Sequence, residues 1–437
     1  MRRVLIVSPH FPPVNAPDMQ RVRLALPYLR ALGWEAVVLA VEPDSVEGAV
    51  IDPLLAQTYP SDTRVIRVRG LSPRLTRPLG IGSLWWRCRG ALRRAGDSLL
   101  HRERFDLVFF STTQFDAFTL GPRWRKRFNV PFIVDYQDPW VNDYYSETHT
   151  RPPGGHLKFW FSQFTARRRE PAVLRAASGV VSVSAAYGPS LQRRYPWLPS
   201  SRVQTIPFGT APGDLEIARH HPPIAALVPV GDGNFHHVYV GRCGPDMAVA
   251  LAVLFRAFKS FLTSHPVEAA RHRFHFIGTG YAPPPLGRHW VLPVADREGV
   301  SSHVCEHCYR VPYFDALHWL SRADALMVIG SDDPTYSASK IFPYLFARRP
   351  VITLAHEQSQ MIPLAQNQGL RATYGFNAVT SIDALAHKVY RQWFVESGFR
   401  QPNQGNLELL SPHTADNMTT LLVGVFNTAS GNAPLAQ

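Results

Sequence analysis

Short apolar runs recur along this chain, each followed by a stretch with the spacing of an amphipathic helix, and few folds accommodate that alternation. Residues 4–7 have the continuous apolar character of a strand buried on both faces. Residues 18–32 carry Val22, Leu26 and Leu29 at helical spacing, and 35–41 read as the next strand. Residues 107–110, 132–135 and 180–183 extend the pattern, so 1–210 are expected to form one doubly wound α/β domain. A second series starts with a strand at 237–240 and a helix carrying Val249, Leu254 and Phe258, followed by strands at 274–277, 325–329 and 351–354. Between the two series, 211–234 hold Pro212, Pro222, Pro223, Pro229 and three glycines, the composition of a linker. The expected organisation is therefore a domain at 1–210, a linker at 211–234, a domain at 235–410, and a helix and tail at 411–437 packing back toward the first domain.

With 437 residues, 45% hydrophobic and only 18% charged, the chain can bury a large core, and global disorder is excluded. Its 46 basic residues outnumber the 33 acidic ones, a net charge of +13 that calls for an anionic partner. No apolar run approaches the ~18 residues of a membrane span. Arg2 and Arg3 precede only four apolar residues before Pro9, which suits a first strand better than a signal peptide. Four cysteines are too few for a disulfide framework, and a cytoplasmic location is expected.

In an open parallel sheet the chemistry sits in the loops that follow the strands. The first of these, SPHFPPVNAPDMQRVR, has prolines where dinucleotide binders have glycines, which disfavours a nicotinamide or flavin enzyme. His10, Asn15, Asp18, Gln20 and Arg21 stand there at a helix N-terminus able to hold an anion or sugar hydroxyls; Asp18 serves equally well as a helix cap. The segment IVDYQDPW gathers Asp135, Gln137, Asp138 and Trp140 at a strand end. Carboxylates there accept from hydroxyls, and an aromatic ring covers the apolar face of a sugar. An Asp-Pro turn with a buried tryptophan reads the same. In the second half, Gly241 and Arg242 follow a strand directly, and Ser337, Ser339 and Lys340 open a helix. Cations and free N–H groups together suit a nucleotide diphosphate, although a lone arginine after a strand is usually just solvated.

Six stretches in order resemble the family 4 (group 1) glycosyltransferases: SPHFPP, DYQDPW, SGVVSVSAAY at 178–187, IPFG at 206–209 with YVGR at 239–242, FIGTG at 276–280, and the long run 309–352. The resemblance implies the GT-B fold, α/β, with two Rossmann-like doubly wound parallel-sheet domains facing across a cleft. It also implies retaining, metal-independent transfer of a sugar from a nucleotide-sugar donor to a glycan or lipid-linked acceptor, as in bacterial surface polysaccharide or glycolipid synthesis. No cofactor is called for, the nucleotide-sugar being a co-substrate, and no metal site. Carried over by position, Gly241, Arg242, Gly278, Thr279, Gly280, Arg310, Val311, Pro312, Ser337, Ser339 and Lys340 bind the donor. Arg242 and Lys340 stabilise the departing diphosphate. His10, Asn15, Arg21, Gln137, Asp138 and Trp140 serve the acceptor, with Asp138 or Asp18 orienting its hydroxyl. The chain departs from the family at Thr335 and Pro343, where two glutamates are usual, at Gln137 in place of a histidine, and at Met247 in place of a basic residue. Those departures motivate an alternative, a non-catalytic scaffold of the same fold that binds nucleotide or glycan.

Residues 74–105 interleave arginines with Leu79, Ile81, Leu84, Trp85, Trp86, Leu92, Leu99 and Leu100, and 156–169 repeat that character. Such a segment suits peripheral docking on the anionic inner leaflet of the cell membrane, or equally a core helix with solvated arginines. Nucleic acid is disfavoured, because no recognised module accompanies the charge. His303, Cys305, His307 and Cys308 lack the second, distant ligand pair of a structural zinc site.

Overall fold

The structure, a computed structural model, describes residues 1–80, 82–142, 156–229, 231–280, 282, 285–334, 341–403 and 407–431. They form two compact units, Met1–Gly209 with His413–Gln437, and Thr210–Pro412.

In the first unit the described residues build a seven-stranded sheet from β1 (Arg2–Val7), β2 (Trp34–Val41), β3 (Arg64–Val68), β4 (Leu107–Ser111), β5 (Phe132–Tyr136), β6 (Gly179–Ser182) and β7 (Val203–Thr205). Their order is β3-β2-β1-β4-β5-β6-β7, and every neighbouring pair is parallel. The central strands are the apolar runs, since helices cover both faces and leave no solvent side to alternate toward. Strand order reverses between β1 and β4, so the loops after these two strands flank a crevice at the strand ends. The helix Ala415–Ala429 belongs to this unit: Phe426 packs on Trp34 and Phe109 with ring centroids 5.4 and 5.1 Å away, and Asn427 accepts from the Trp34 indole at 3.0 Å. Gly209 lies where this segment meets the rest of the unit. A Cβ there would sit 2.6 Å from the Thr414 carbonyl, so no larger residue fits without backbone movement.

The second unit has a six-stranded parallel sheet of β8 (Phe235–Val240), β9 (His272–Ile277), β10 (Val304–His307), β11 (Ala325–Ile329), β12 (Val351–His356) and β13 (Thr373–Phe376), in the order β10-β9-β8-β11-β12-β13. Its switch point falls between β8 and β11. The stretch Pro245–Ser264 is long and apolar enough for a membrane span by composition, which amends the expectation from the sequence. It contains a core helix, Ala248–Ser264, with Leu251, Leu254, Phe255, Phe258 and Phe261 buried.

Two readings of the sequence change here. Residues 211–234 are not a free linker: they belong to the second unit and open with the helix Pro212–His220, held by Tyr313 Oη donating to Asp214 at 2.9 Å and His318 Nδ1 at 2.8 Å from the Ala218 carbonyl. The four strands not anticipated, β3, β7, β10 and β13, are the four sheet edges. An edge strand has one unpaired side near solvent, so sequences such as RVIRV and VCEH need not be continuously apolar.

Candidate functional site

In the first unit the loops after β1, β4 and β5 bring their polar groups together at the switch point. His10 Nδ1 lies 2.8 Å from Asp18 Oδ1 and 2.9 Å from Oδ2. The Thr112 hydroxyl and the Thr113 amide, both after β4, donate to Asp18 Oδ2 at 2.9 and 3.0 Å. Asp18 is buried, and burial alone would raise its pKa. The charge of His10 and the hydrogen bonds from His10, Thr113 and Thr112 outweigh that and hold it below the usual carboxylate value. Asp18 caps no helix, and with its oxygens so committed it positions His10 rather than a ligand.

Asp138 differs in every respect. It is exposed, yet the chain crowds it on one side; that partial desolvation, and then the nearby Asp18 carboxylate, raise its pKa. Tyr187 is its neighbour, its hydroxyl pushed up to about 12 by burial and by Asp138. Of the two carboxylates left open by the sequence, Asp138 is the exposed one. Asn15 is half-buried on the β1 loop, its amide N–H donating to the Val50 carbonyl at 2.8 Å.

Three expected acceptor residues are structural instead. Arg21 is wholly buried: its Nε donates to Asp135 at 2.8 Å and its Nη2 to the Ile206 carbonyl at 2.6 Å. Gln137 is buried too, its amide within 3.0 Å of the Asp18 carbonyl, Ser111 and Asp135. Trp140 packs in the core against Phe115 and Phe118, leaving no ring face for a sugar. The sequence reading also passed over Thr112 and Thr113, whose signal was a hydroxyl pair directly after the apolar run of β4.

In the second unit, Gly241 follows β8 with φ 147°, a value that favours glycine, and leads into Arg242. The Arg242 guanidinium grips Asp246 with two hydrogen bonds of 3.0 and 2.6 Å. Gly244 leaves room for this pair, since a Cβ there would lie 2.7 Å from Arg242 Nη1. The Asp246 carbonyl accepts from the Asp332 amide at 2.8 Å, so the loops after β8 and β11 are joined across the switch point. Gly278 and Gly280 shape the turn after β9, Gly278 with φ 74° and Gly280 within 2.9 Å of the Cys308 carbonyl were it to carry a Cβ. The Thr279 side chain is buried and donates to Glu306 at 2.7 Å. Arg310 is exposed beyond β10, with Val311 and Pro312 half-buried beside it. Met247 is buried near the Tyr239 hydroxyl and offers no cation. Pro343 lies in the helix Ile341–Phe346, whose Tyr344 hydroxyl accepts from the Val240 amide at 2.8 Å. Thr335, Ser337, Ser339 and Lys340 lie outside the described residues.

The metal-like run does not converge. Cys308 turns to His289 at 3.2 Å, whereas His303 turns to the His272 carbonyl at 3.0 Å, and Cys305 is exposed. Glu306, near His289 and Cys308, is taken up by Thr279 and the amides of Trp290, Val291 and Leu292. In the basic segment 74–105, the apolar side is core: Leu84, Trp85, Leu92, Leu99 and Leu100 are buried, while Arg89, Arg93 and Arg94 are solvated.

Residues 20–209 match the model of the glycosyl transferase 4-like domain. No curated protein matches the sequence. Among solved structures, the sucrose-phosphate synthase of Thermosynechococcus elongatus matches with a TM-score of 0.61 at 15% identity over 98% of each chain. A glycosyltransferase from Rickettsia africae gives 0.60 at 12% over 99% of each. HepE of Anabaena, crystallised with UDP and glucose, gives 0.58 at 14% over 98% of this chain and 100% of that one. At such identities the likeness establishes the fold: two parallel-sheet α/β domains of the GT-B type. The domain match over residues 20–209 is consistent with the resemblance to the family 4 (group 1) glycosyltransferases.

Proposed function

We propose that this protein transfers a sugar, with retention of configuration, from a UDP-sugar bound by the second unit to a hydroxyl of a glycan or lipid-linked acceptor bound by the first. The observation that carries the reading is Arg242, set by Gly241 at the first strand end of the second unit, beside that sheet's switch point. The choice of UDP rests on similar structures, HepE with UDP and glucose and an Escherichia coli protein with UDP-2-fluoro glucose.

As the bond between the sugar and the diphosphate breaks, negative charge grows on the departing phosphate oxygen. Arg242, with Lys340 from the family resemblance, stabilises that charge. Asp138 accepts a hydrogen bond from the acceptor hydroxyl, and its raised pKa makes it a stronger acceptor than an ordinary carboxylate. His10, aimed by Asp18, presents the ring edge opposite Nδ1.

The test is turnover. Purified protein is incubated with a panel of UDP-sugars and with glycan and lipid-linked acceptors, and UDP release and acceptor labelling are followed. Release that falls at least a hundredfold in Arg242→Ala and Asp138→Asn supports the reading. UDP binding without release on any acceptor overturns it in favour of a binding scaffold.

The membrane side of the proposal rests on the helix His156–Ala176, where Trp160, Phe161 and Phe164 are exposed. Trp160 stacks on Phe164 at 5.4 Å, and the Arg168 guanidinium sits 4.1 Å above Phe164. Exposed rings beside cations suit the interface of an anionic leaflet. Flotation with phosphatidylglycerol vesicles, lost in a Trp160→Ser, Phe164→Ser double variant, supports it; equal flotation of the variant contradicts it.

A further inference from the structure

The second unit holds a cavity of about 900 Å³, lined only by its own residues. It opens where strands begin: Val351, the first residue of β12, and Ala372, just before β13, are part of its lining. The loops carrying Gly241 and Gly278 follow strand ends, so the cavity lies at the opposite edge of the sheet from the proposed donor site.

Its wall contains an unusual concentration of unmet hydrogen-bonding capacity. Gln368 Oε1, Tyr374 Oη and Trp393 Nε1 are all buried and all without a partner among the described residues. Native proteins leave few such groups, because each forgoes the hydrogen bond it would make to water. Here three line one cavity, and they differ in kind: an amide oxygen that accepts, an indole N–H that donates, and a phenol that does both.

The backbone around the cavity is held in conformations that folding alone does not favour. Gln392 and Trp393 belong to a π-helical turn, Tyr390–Val395, a rare form that is frequent at functional sites. Ser397 follows with φ 56°, in the left-handed region that side chains other than glycine seldom adopt. Gly398 comes next, where a Cβ would stand 2.7 Å from the Gln392 carbonyl.

The rim supplies a charge. Arg400 is neutralised by Glu268 at 3.0 Å, and Glu396 by Arg391 at 3.5 Å. Arg371 is exposed at the mouth and enters no ion pair among the described residues, so the net charge they offer a ligand is positive. The exposed amides of Gln392 and Gln401 complete a rim suited to hydroxyl groups.

We propose that this cavity is a second ligand site, for a polyhydroxylated small molecule bearing an anionic group, a sugar acid or a sugar phosphate. Its volume is within the range of small-molecule sites. The anionic group pairs with Arg371, and the hydroxyls satisfy Tyr374, Trp393 and Gln368. The site does not depend on the assignment of the donor site.

The test uses the full-length protein with UDP present throughout at 1 mM, titrated calorimetrically and by thermal melting with glucuronate, glucose 6-phosphate and glucose. One or both anionic sugars are expected to saturate and to raise the melting temperature, and glucose to bind at least tenfold more weakly. The two anions, compared with each other, tell a carboxylate ligand from a phosphate one. Arg371→Ala and Tyr374→Phe should each weaken the anionic sugar at least tenfold and leave UDP binding unchanged. Without sugar, Tyr374→Phe should melt no lower than wild type, because it deletes an unpaired buried hydroxyl. Failure of both anions to bind, equal binding of glucose, affinities unchanged in both variants, or a lowered melting temperature for Tyr374→Phe would each overturn the proposal.

Discussion

His10 Nδ1 lies 2.8 and 2.9 Å from the two oxygens of Asp18, so a partly exposed ring on the β1 loop is aimed by a buried carboxylate. Asp18 is itself tied to the β4 loop through Thr112 and Thr113, which makes the pair a rigid element of the crevice. Asp18→Asn keeps the shape and removes the charge that orients the imidazole. The expected result is a fall in transfer of at least tenfold, matched by His10→Ala and not deepened in the double variant, with a displaced pH profile. Its pKa is lowered in the fold, so the stability Asp18 contributes is present above its ordinary value and disappears as pH falls through the folded one. Additive losses in the double variant would show that the two act separately.

Asp246 competes with any diphosphate for Arg242. Burial raises its pKa, but the hydrogen bonds from Arg242 and Ser331 more than reverse this, so it is an anion near neutral pH. Asp246→Asn should therefore tighten UDP binding roughly three- to tenfold, as expected for a partly exposed pair worth ~1 kcal/mol. Weaker binding in this variant would mean that Asp246 holds Arg242 in place for the donor.

Strands β8 and β9 carry a buried histidine cluster: His237 Nε2 lies 2.8 Å from His272 Nδ1, and His236 Nδ1 lies 2.9 Å from His275 Nε2. Burial, and then neighbouring positive charge, lower the pKa of His237 well below normal, of His272 to about 3 and of His275 to about 4. Their folded values lie below their unfolded values, so stability is intact above pH 6.5 and falls as the unfolded chain takes up protons the fold refuses. Three such groups give a slope of about 4 kcal/mol per pH unit below pH 6. Thermal melts from pH 7.5 to 4.5 should show the second unit failing steeply below pH 6, and a flat profile would contradict the neutral cluster.

Trp140 belongs to the core, not to the acceptor. Trp140→Ala should lower first-unit stability by about 3–5 kcal/mol, read by denaturant unfolding. Trp140→Phe should leave the acceptor KM unchanged, whereas a raised KM with normal stability would return Trp140 to the binding surface.

The buried strands were legible because a strand covered on both faces must be apolar throughout, and residues 325–329 were read to the residue. Edge strands, released from that demand, were not. At the site, residue type revealed where polar groups gather but not which way they turn. Arg21 reads identically as an anion holder or as a core ion pair, because its partner Asp135 is 114 positions away. Gln137 was misread for the same reason. Asp246, four residues after Arg242, was within reach of the sequence, since an acid at that spacing in a tight glycine turn can fold back on the arginine.

The proposed function depends above all on the second unit binding a nucleotide diphosphate at Arg242. Calorimetric titration of the full chain with UDP tests it most directly, comparing wild type with Arg242→Ala. Saturable binding at one site is expected, weakened at least tenfold in the variant while its melting temperature stays within a few degrees of wild type. Absence of UDP binding by the wild type, or equal affinity in Arg242→Ala, would contradict it.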